Sequence, residues 1–236
     1  MNLIAFGYAG SSNNTFLNLE AELDGQISFN QFVYPGRGSR FKEPFAVSIS
    51  ELAEEVVNSL PDDQPVVLLG YSFGAYVAYE TAKYLQKQNR RIAALVVCAM
   101  NAPQCGDHRN SVHSLEDQAL VDYLRQLGGT PEEILSTSEI FDWYAPIIRS
   151  DYRLLDRYRS DMAYRLDCPI FAYFGDSDSL TDSESLKLWA TCTSAEFLLT
   201  PVPGSHFFLE ESPQILAKEL VNNLSRLVQE KDLALS

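Results

Sequence analysis

No stretch constrains the fold of this chain more than Val66-Val67-Leu68-Leu69-Gly70-Tyr71-Ser72-Phe73-Gly74-Ala75. Four β-prone residues behind Pro65 make a buried strand, and the residues that follow set Ala75, Ala78, Ala82 and Leu85 on one helical face, small where it would press on a sheet. Between the two patterns lies Gly-x-Ser-x-Gly. A strand passing straight into a helix needs a sharp turn there, and glycines two residues either side of the serine let strand and helix approach without a Cβ clash. The serine hydroxyl then stands exposed above the sheet edge, which makes Ser72 the candidate nucleophile. Glycine and serine are also ordinary turn residues, so the reading depends on what the rest of the chain supplies.

The remaining elements alternate. Strand-like runs at Leu3 to Phe6, Ile27 to Val33, Ile92 to Met100, Cys168 to Phe174 and Glu196 to Thr200 are separated by helical patterns at Thr15 to Leu23, Ser48 to Leu60, Ser183 to Ala190 and Ser212 to Leu227. That order predicts an α/β fold, a mostly parallel central sheet flanked by crossover helices. With 236 residues and 46% hydrophobic content, one domain spanning 1–236 is expected. From Gln104 to Tyr164 the periodicity is helical throughout, which predicts an inserted helical lid over 104–164. Its helices are expected at Ser114 to Leu127, with Ser114 as cap, at Pro131 to Leu135, at Ser138 to Tyr144 and, after a break at Ala145-Pro146, at Pro146 to Tyr158.

A serine nucleophile needs a base and an orienting acid. Of the three histidines, His108 and His113 fall in the helical insertion, whereas this architecture orders its triad serine, acid, histidine. His206, in the loop past the last strand, fits. Asp176 and Asp178 both follow a strand end; the Gly-x-x-Asp turn, which clears the sheet before presenting the acid, favours Asp178 and leaves Asp176 a turn-former. Backbone amides of Ala9, in the Gly7-to-Asn14 loop, and of Phe73 are the expected oxyanion donors.

Other chemistries find little support. The first loop has neither GxGxxG nor GK[ST], and the Asp176 cluster lacks the EF-hand residues at Leu180 and Thr181, so no cofactor or metal is expected. A net charge of −14 repels nucleic acid and anionic membrane. Cys98, Cys105, Cys168 and Cys192 are scattered, as reduced thiols are, and no run approaches membrane-helix length or signal-peptide form, so a cytoplasmic protein is expected. Arg37 and Arg40 are read as partners of nearby acids, with an anionic substrate as the other option. Arg149, Arg153 and Arg157, four apart, form either a solvated face paired with Asp151 and Asp156 or a docking stripe for an acidic partner.

Taken together, Phe6-Gly7-Tyr8-Ala9-Gly10-Ser11, Tyr34-Pro35-Gly36-Arg37-Gly38-Ser39-Arg40, Gly70-Tyr71-Ser72-Phe73-Gly74, Leu127 to Glu133, Arg149 to Leu155, Cys168-Pro169-Ile170 and Gly204 to Leu209 resemble the free-standing type II thioesterases of polyketide and nonribosomal peptide assembly lines, an α/β-hydrolase family. The resemblance implies a hydrolase that clears stalled or mis-primed acyl thioesters from the phosphopantetheine arm of acyl- or peptidyl-carrier proteins; a monomer is expected. It implies a Ser72, Asp178, His206 triad and oxyanion donors at Ala9 and Phe73. Where the family has GHSMG this chain has Gly-Tyr-Ser-Phe-Gly, and bulk at Tyr71 and Phe73 is expected to reshape the acyl pocket. A general serine esterase, an acyltransferase and a non-catalytic interaction protein on the same fold are the alternatives. Carrier proteins are themselves generally acidic, so docking on this acidic chain would fall to the Arg149/Arg153/Arg157 stripe.

Overall fold

Successive residues of a strand point to opposite faces of its sheet, and in the central strands both faces are apolar. Leu68 thus packs with Ile4, Val56 and Ala78 on one side, while Val67 and Leu69 pack with Leu3, Leu19 and Leu220 on the other. The result, in a computed structural model that describes residues 2–61, 64–105, 111–161 and 163–235, with side chains through 229, is a sheet with a hydrophobic layer on each face.

Six strands form the sheet: β1 (Asn2–Phe6), β2 (Ser28–Phe32), β3 (Val66–Tyr71), β4 (Ile92–Cys98), β5 (Ile170–Gly175) and β6 (Phe197–Val202). Their order is β2-β1-β3-β4-β5-β6, and every pairing is parallel. One layer of the flanking helices comprises α1 (Leu17–Leu23) and α9 (Pro213–Leu235); the other comprises α2 (Ile49–Ser59) and α3 (Phe73–Lys87). Ser48 caps α2, its hydroxyl accepting from Glu51 N–H at 3.0 Å. The order has a direct consequence: from β1 the chain runs outward to β2, and from β3 it runs the other way to β4. The carboxyl ends of β1 and β3, in register as Phe6 opposite Gly70, therefore open a crevice at a topological switch point, where α/β sheets bind their ligands.

Between β4 and β5 the described residues include three α-helices, α4 (Asp117–Leu127), α5 (Glu132–Ser136) and α6 (Ser138–Arg157). Two expectations need correcting. The first concerns Ser114, which does not cap α4: it ends a short 3₁₀ turn and donates to Ser111 O at 2.8 Å, extended Leu115 intervenes, and Glu116 takes the cap position. The second is the break at Ala145-Pro146, since α6 runs straight through Pro146. Pro146 and Asp142, whose carbonyl loses its helical partner, both lie on the exposed face, so water satisfies the freed oxygen. Two further differences lie after β5. The helix begun at Ser183 is α-helical only as α7 (Ser183–Lys187) before tightening to 3₁₀, and a short α8 (Phe208–Glu211) precedes α9. No described helix is long and apolar enough to cross a membrane.

The crossing of α3 over β1 leaves no room for a side chain at Gly74, where a Cβ would overlap the carbonyl oxygens of Phe6 and Gly7. Gly74→Ala should therefore cost about 2 kcal/mol or more, read as a lowered denaturant midpoint, and distort the β1 loop with it.

Candidate active site

Ser72 follows β3 directly with φ 52° and ψ −119°, a conformation a serine seldom adopts. Its amide donates to Cys98 O of β4 at 2.8 Å and its carbonyl accepts from Ala75 N–H at 2.8 Å, which fixes the turn from both sides. His206 lies beyond β6, and Asp178 is the third residue past β5. The structure brings all three together: His206 Nε2 is 3.1 Å from Ser72 Oγ, and His206 Nδ1 is 2.9 Å from Asp178 Oδ2. Ser72 and His206 are almost wholly buried.

Asp178 is held by more than the imidazole. Its Oδ1 accepts from Leu180 N–H at 2.8 Å and its Oδ2 from the Thr181 hydroxyl at 3.1 Å. Burial by itself would raise this carboxyl; the hydrogen bond and charge of His206, with the Leu180 and Thr181 donors, outweigh it and hold the carboxyl below its ordinary value. Asp176 faces away, its Oδ1 accepting from Gly204 N–H at 3.1 Å and from the Ser177 hydroxyl at 3.0 Å, so it ties the β5 loop to the loop that carries His206. Of the other histidines, His113 lies 2.5 Å from Asp156 through Nδ1, and His108 lies outside the described residues.

The β1 loop and the elbow supply backbone donors at the switch point. Phe73 begins α3, where an N–H has no partner within the helix. Among the described residues no hydrogen bond uses the Ala9 N–H. The neighbouring Gly10 N–H is committed, at 2.8 Å, to Asp151 Oδ2 of α6. Asp151 in turn receives both guanidinium nitrogens of Arg37, Nη1 at 2.7 Å and Nη2 at 2.6 Å, in a buried fork. Burial would lower the Arg37 pKa, but Asp151 raises it further, so the guanidinium stays charged.

Asp151 is thus not a partner of the arginine stripe. Arg149 pairs with Asp117 at 2.7 Å and donates to His113 O, while Arg153 and Arg157 are exposed and, among the described residues, have no acid partner. Arg40 bonds Glu55 at 2.7 Å and also Glu43. Both loop arginines therefore pair with acids, although the partner of Arg37 is remote in sequence.

A cleft of about 310 Å³ opens beside His206, lined by Tyr123, Gln126 and Leu127 of α4 with Ser177, Leu180 and Ser205. Neither Tyr71 nor Phe73 lines this cleft, and both are fully buried. The Phe73 ring packs on Tyr34 at 5.2 Å. Tyr71 points the other way and acts on the histidine loop, its hydroxyl donating to His206 O at 2.8 Å and accepting from Leu209 N–H at 3.2 Å. Burial pushes that phenol well above its ordinary pKa, so it stays neutral and can do both.

Because its folded-state pKa lies below the unfolded value of about 3.9, Asp178 contributes stability that is present above that pH and lost as pH falls through the lower folded value. Asp178→Asn should flatten this acid loss in unfolding midpoints taken from pH 6 to pH 2. It should also cut kcat by roughly 10⁴-fold at pH 7, through the wrong imidazole tautomer.

The chain matches the thioesterase domain family over residues 1–225. It is 32% identical over 226 residues to the thioesterase PikA5 of Streptomyces venezuelae, a match covering 94% of this chain and 80% of that protein. Among solved structures, the type II thioesterase BorB from the borrelidin biosynthetic cluster is 33% identical with a TM-score of 0.86, covering 94% of this chain and 92% of that one. RedJ, a thioesterase from the prodiginine biosynthetic pathway in Streptomyces coelicolor, is 31% identical with a TM-score of 0.85, covering 93% and 84%. Its parallel sheet, serine elbow and nearly full-length match make this chain a member of the thioesterase domain family.

Proposed function

We propose that this protein hydrolyses acyl thioesters borne on the phosphopantetheine arm of carrier proteins, clearing stalled or mis-primed acyl groups from polyketide or nonribosomal peptide assembly lines. The observation that carries the proposal is the hydrogen-bonded Ser72, His206, Asp178 relay, whose histidine lines a cleft, in a chain similar to thioesterases of such pathways. His206 Nε2 takes the Ser72 proton as Oγ attacks the thioester carbonyl. The Ala9 and Phe73 amides hold the oxyanion, and Asp178 stabilises the imidazolium. The pantetheine thiol leaves with the proton from His206; a water then attacks the acyl-serine, with His206 again as base, and releases the free acid. A thiol leaving group, with a pKa of about 8.5, asks less of the general acid than an amine or alcohol would.

The cleft suits such an arm. Gln126 and Ser177 offer hydrogen bonds to its amides, and Leu127 and Leu180 offer apolar surface to its alkyl segments. Arg153 and Arg157 are the proposed contact for an acidic carrier, on a chain whose net charge of −14 otherwise repels one. The four cysteines are free thiols, which fits work in the cytoplasm.

The test is release of free acid from one short acyl group presented on holo-carrier protein, on N-acetylcysteamine and as an aryl ester. Carrier-borne thioester should be the best substrate, and Ser72→Ala should keep the unfolding midpoint while losing at least about 10³-fold in kcat. Equal or better turnover of the aryl ester would leave a general serine esterase instead. Arg153→Glu with Arg157→Glu should lower the ratio of kcat/KM on carrier-borne to free thioester at least about fivefold. An unchanged ratio removes the stripe from the docking surface.

A further inference from the structure

We infer that the buried Arg37 and Asp151 pair is the positioning device of the oxyanion loop: from α6, Asp151 sets the backbone on either side of the Ala9 amide so that its N–H faces the substrate carbonyl. The inference rests on the proposed roles of Ser72 and Ala9 and goes one layer further from the chemistry.

Peptide units are planar and trans, so fixing one end of a unit aims the other. The unit holding the Ala9 N–H also holds the Tyr8 carbonyl, which accepts from Ser11 N–H at 2.9 Å. The next unit holds the Gly10 N–H, which donates to Asp151 at 2.8 Å. Beyond it, the Gly10 carbonyl accepts from the Tyr144 hydroxyl of the same helix at 3.0 Å, and on the near side the Gly7 carbonyl accepts from the Tyr34 hydroxyl at 3.0 Å. The loop is therefore pinned on both sides of Ala9, and the Ala9 N–H is left for the substrate. Gly10 lies so close beneath α6 that a Cβ there would strike Ile148 and the Tyr144 hydroxyl.

Stability alone is a poor reason for the pair. Both side chains are buried, at 5% and 3% exposure, and a buried ion pair gains little over apolar residues of the same volume. Arg37 Nε, moreover, is buried without a hydrogen-bond partner, which adds to the cost. What an apolar pair could not supply is the acceptor that Gly10 N–H meets. Arg37, through its two-pronged contact, holds the Asp151 carboxylate rotationally fixed.

The experiment compares the wild type with Asp151→Ala, Asp151→Asn and the double variant Arg37→Met with Asp151→Leu, the last chosen because it refills the buried volume. Three quantities are measured: kcat and KM on an acyl-N-acetylcysteamine thioester, the unfolding midpoint, and the affinity of an alkyl trifluoromethyl ketone. With that ketone, Ser72 Oγ adds to the carbonyl carbon, its proton passes to His206 Nε2, and an alkoxide is left at the oxyanion position. We expect kcat to fall about 30-fold or more in Asp151→Ala and in the double variant, with ketone affinity falling in parallel. KM should stay within about twofold. Asp151→Asn, whose amide oxygen still accepts from Gly10, should recover part of the loss. The double variant should unfold at or above the wild-type midpoint. A folded double variant with wild-type kcat and ketone affinity overturns the inference, as does a loss of stability with both unchanged. Because the ketone reads the oxyanion site without turnover, a wild type that binds it but cleaves no thioester defeats the proposed function and leaves the inference standing if the variants lose affinity. A wild type that does neither overturns both.

Discussion

The backbone of Ser72, at φ 52°, is the constraint on which the other parts depend. Such a conformation costs on the order of 1–3 kcal/mol in a residue with a Cβ and persists only where its surroundings over-determine it. Here they do, through two neighbouring strands and a helix. β4 holds the Ser72 amide through Cys98 O; α3 turns back within one turn to bind the Ser72 carbonyl through Ala75 N–H; and Gly74 lets that helix lie against the end of β1. The serine is presented only when β1, β3 and β4 are paired, so the central sheet and the candidate nucleophile are a single structural event. The same pairing delivers the loop after β1 to the side of the serine where a carbonyl would be attacked.

The histidine is held by a different strategy, through its backbone. Tyr71 bonds His206 O, Glu211 accepts from Ser205 N–H at 2.8 Å, and Asp176 accepts from Gly204 N–H. Three consecutive residues of the loop are thus fixed by side chains from β3, α8 and the turn after β5. The imidazole itself meets Asp178 and Ser72 through its two nitrogens and the Phe207 ring edge-on at 5.3 Å. A donor and acceptor at Tyr71 suits this task because a neutral phenol can meet a carbonyl and an amide together. Tyr71, one of the two residues that distinguish this chain's Gly-Tyr-Ser-Phe-Gly, therefore braces the loop that carries His206, and the cleft beside that histidine is lined by α4 and the β5 loop.

How much of this was legible in the sequence depends on how local the determining physics is. Strand and helix existence, the elbow and the order of Ser72, Asp178 and His206 follow from periodicity and from where loops leave a parallel sheet. The continuity of α6 across Pro146 does not, because the local rule scores the lost hydrogen bond and cannot see that the freed Asp142 carbonyl faces water. The contact of Tyr71 with the histidine loop does not follow either, because a strand buried on both faces shows no polar side and alternation alone does not say what each face meets. Arg37 and Asp151 lie 114 residues apart, and no periodic pattern links two such positions. Read locally, Arg37 is assigned to a nearby acid and Asp151 to the arginine stripe, although both fall in stretches that carry the family resemblance.

α6 joins these threads. About 3.6 residues per turn puts Tyr144, Ile148 and Asp151 on one side of the helix and Arg149, Arg153 and Arg157 on nearly the opposite one. The first side is committed to the β1 loop through two hydrogen bonds and the Ile148 contact with Gly10. A helix so tied cannot swing away without disturbing the backbone around Ala9. The rim of the cleft comes from another helix, through Tyr123, Gln126 and Leu127 of α4, which Arg149 ties to α6 by its pair with Asp117. The helical insertion thus divides by attachment: α6 supports the β1 loop from behind while turning Arg153 and Arg157 outward, and α4 shapes the cleft beside His206.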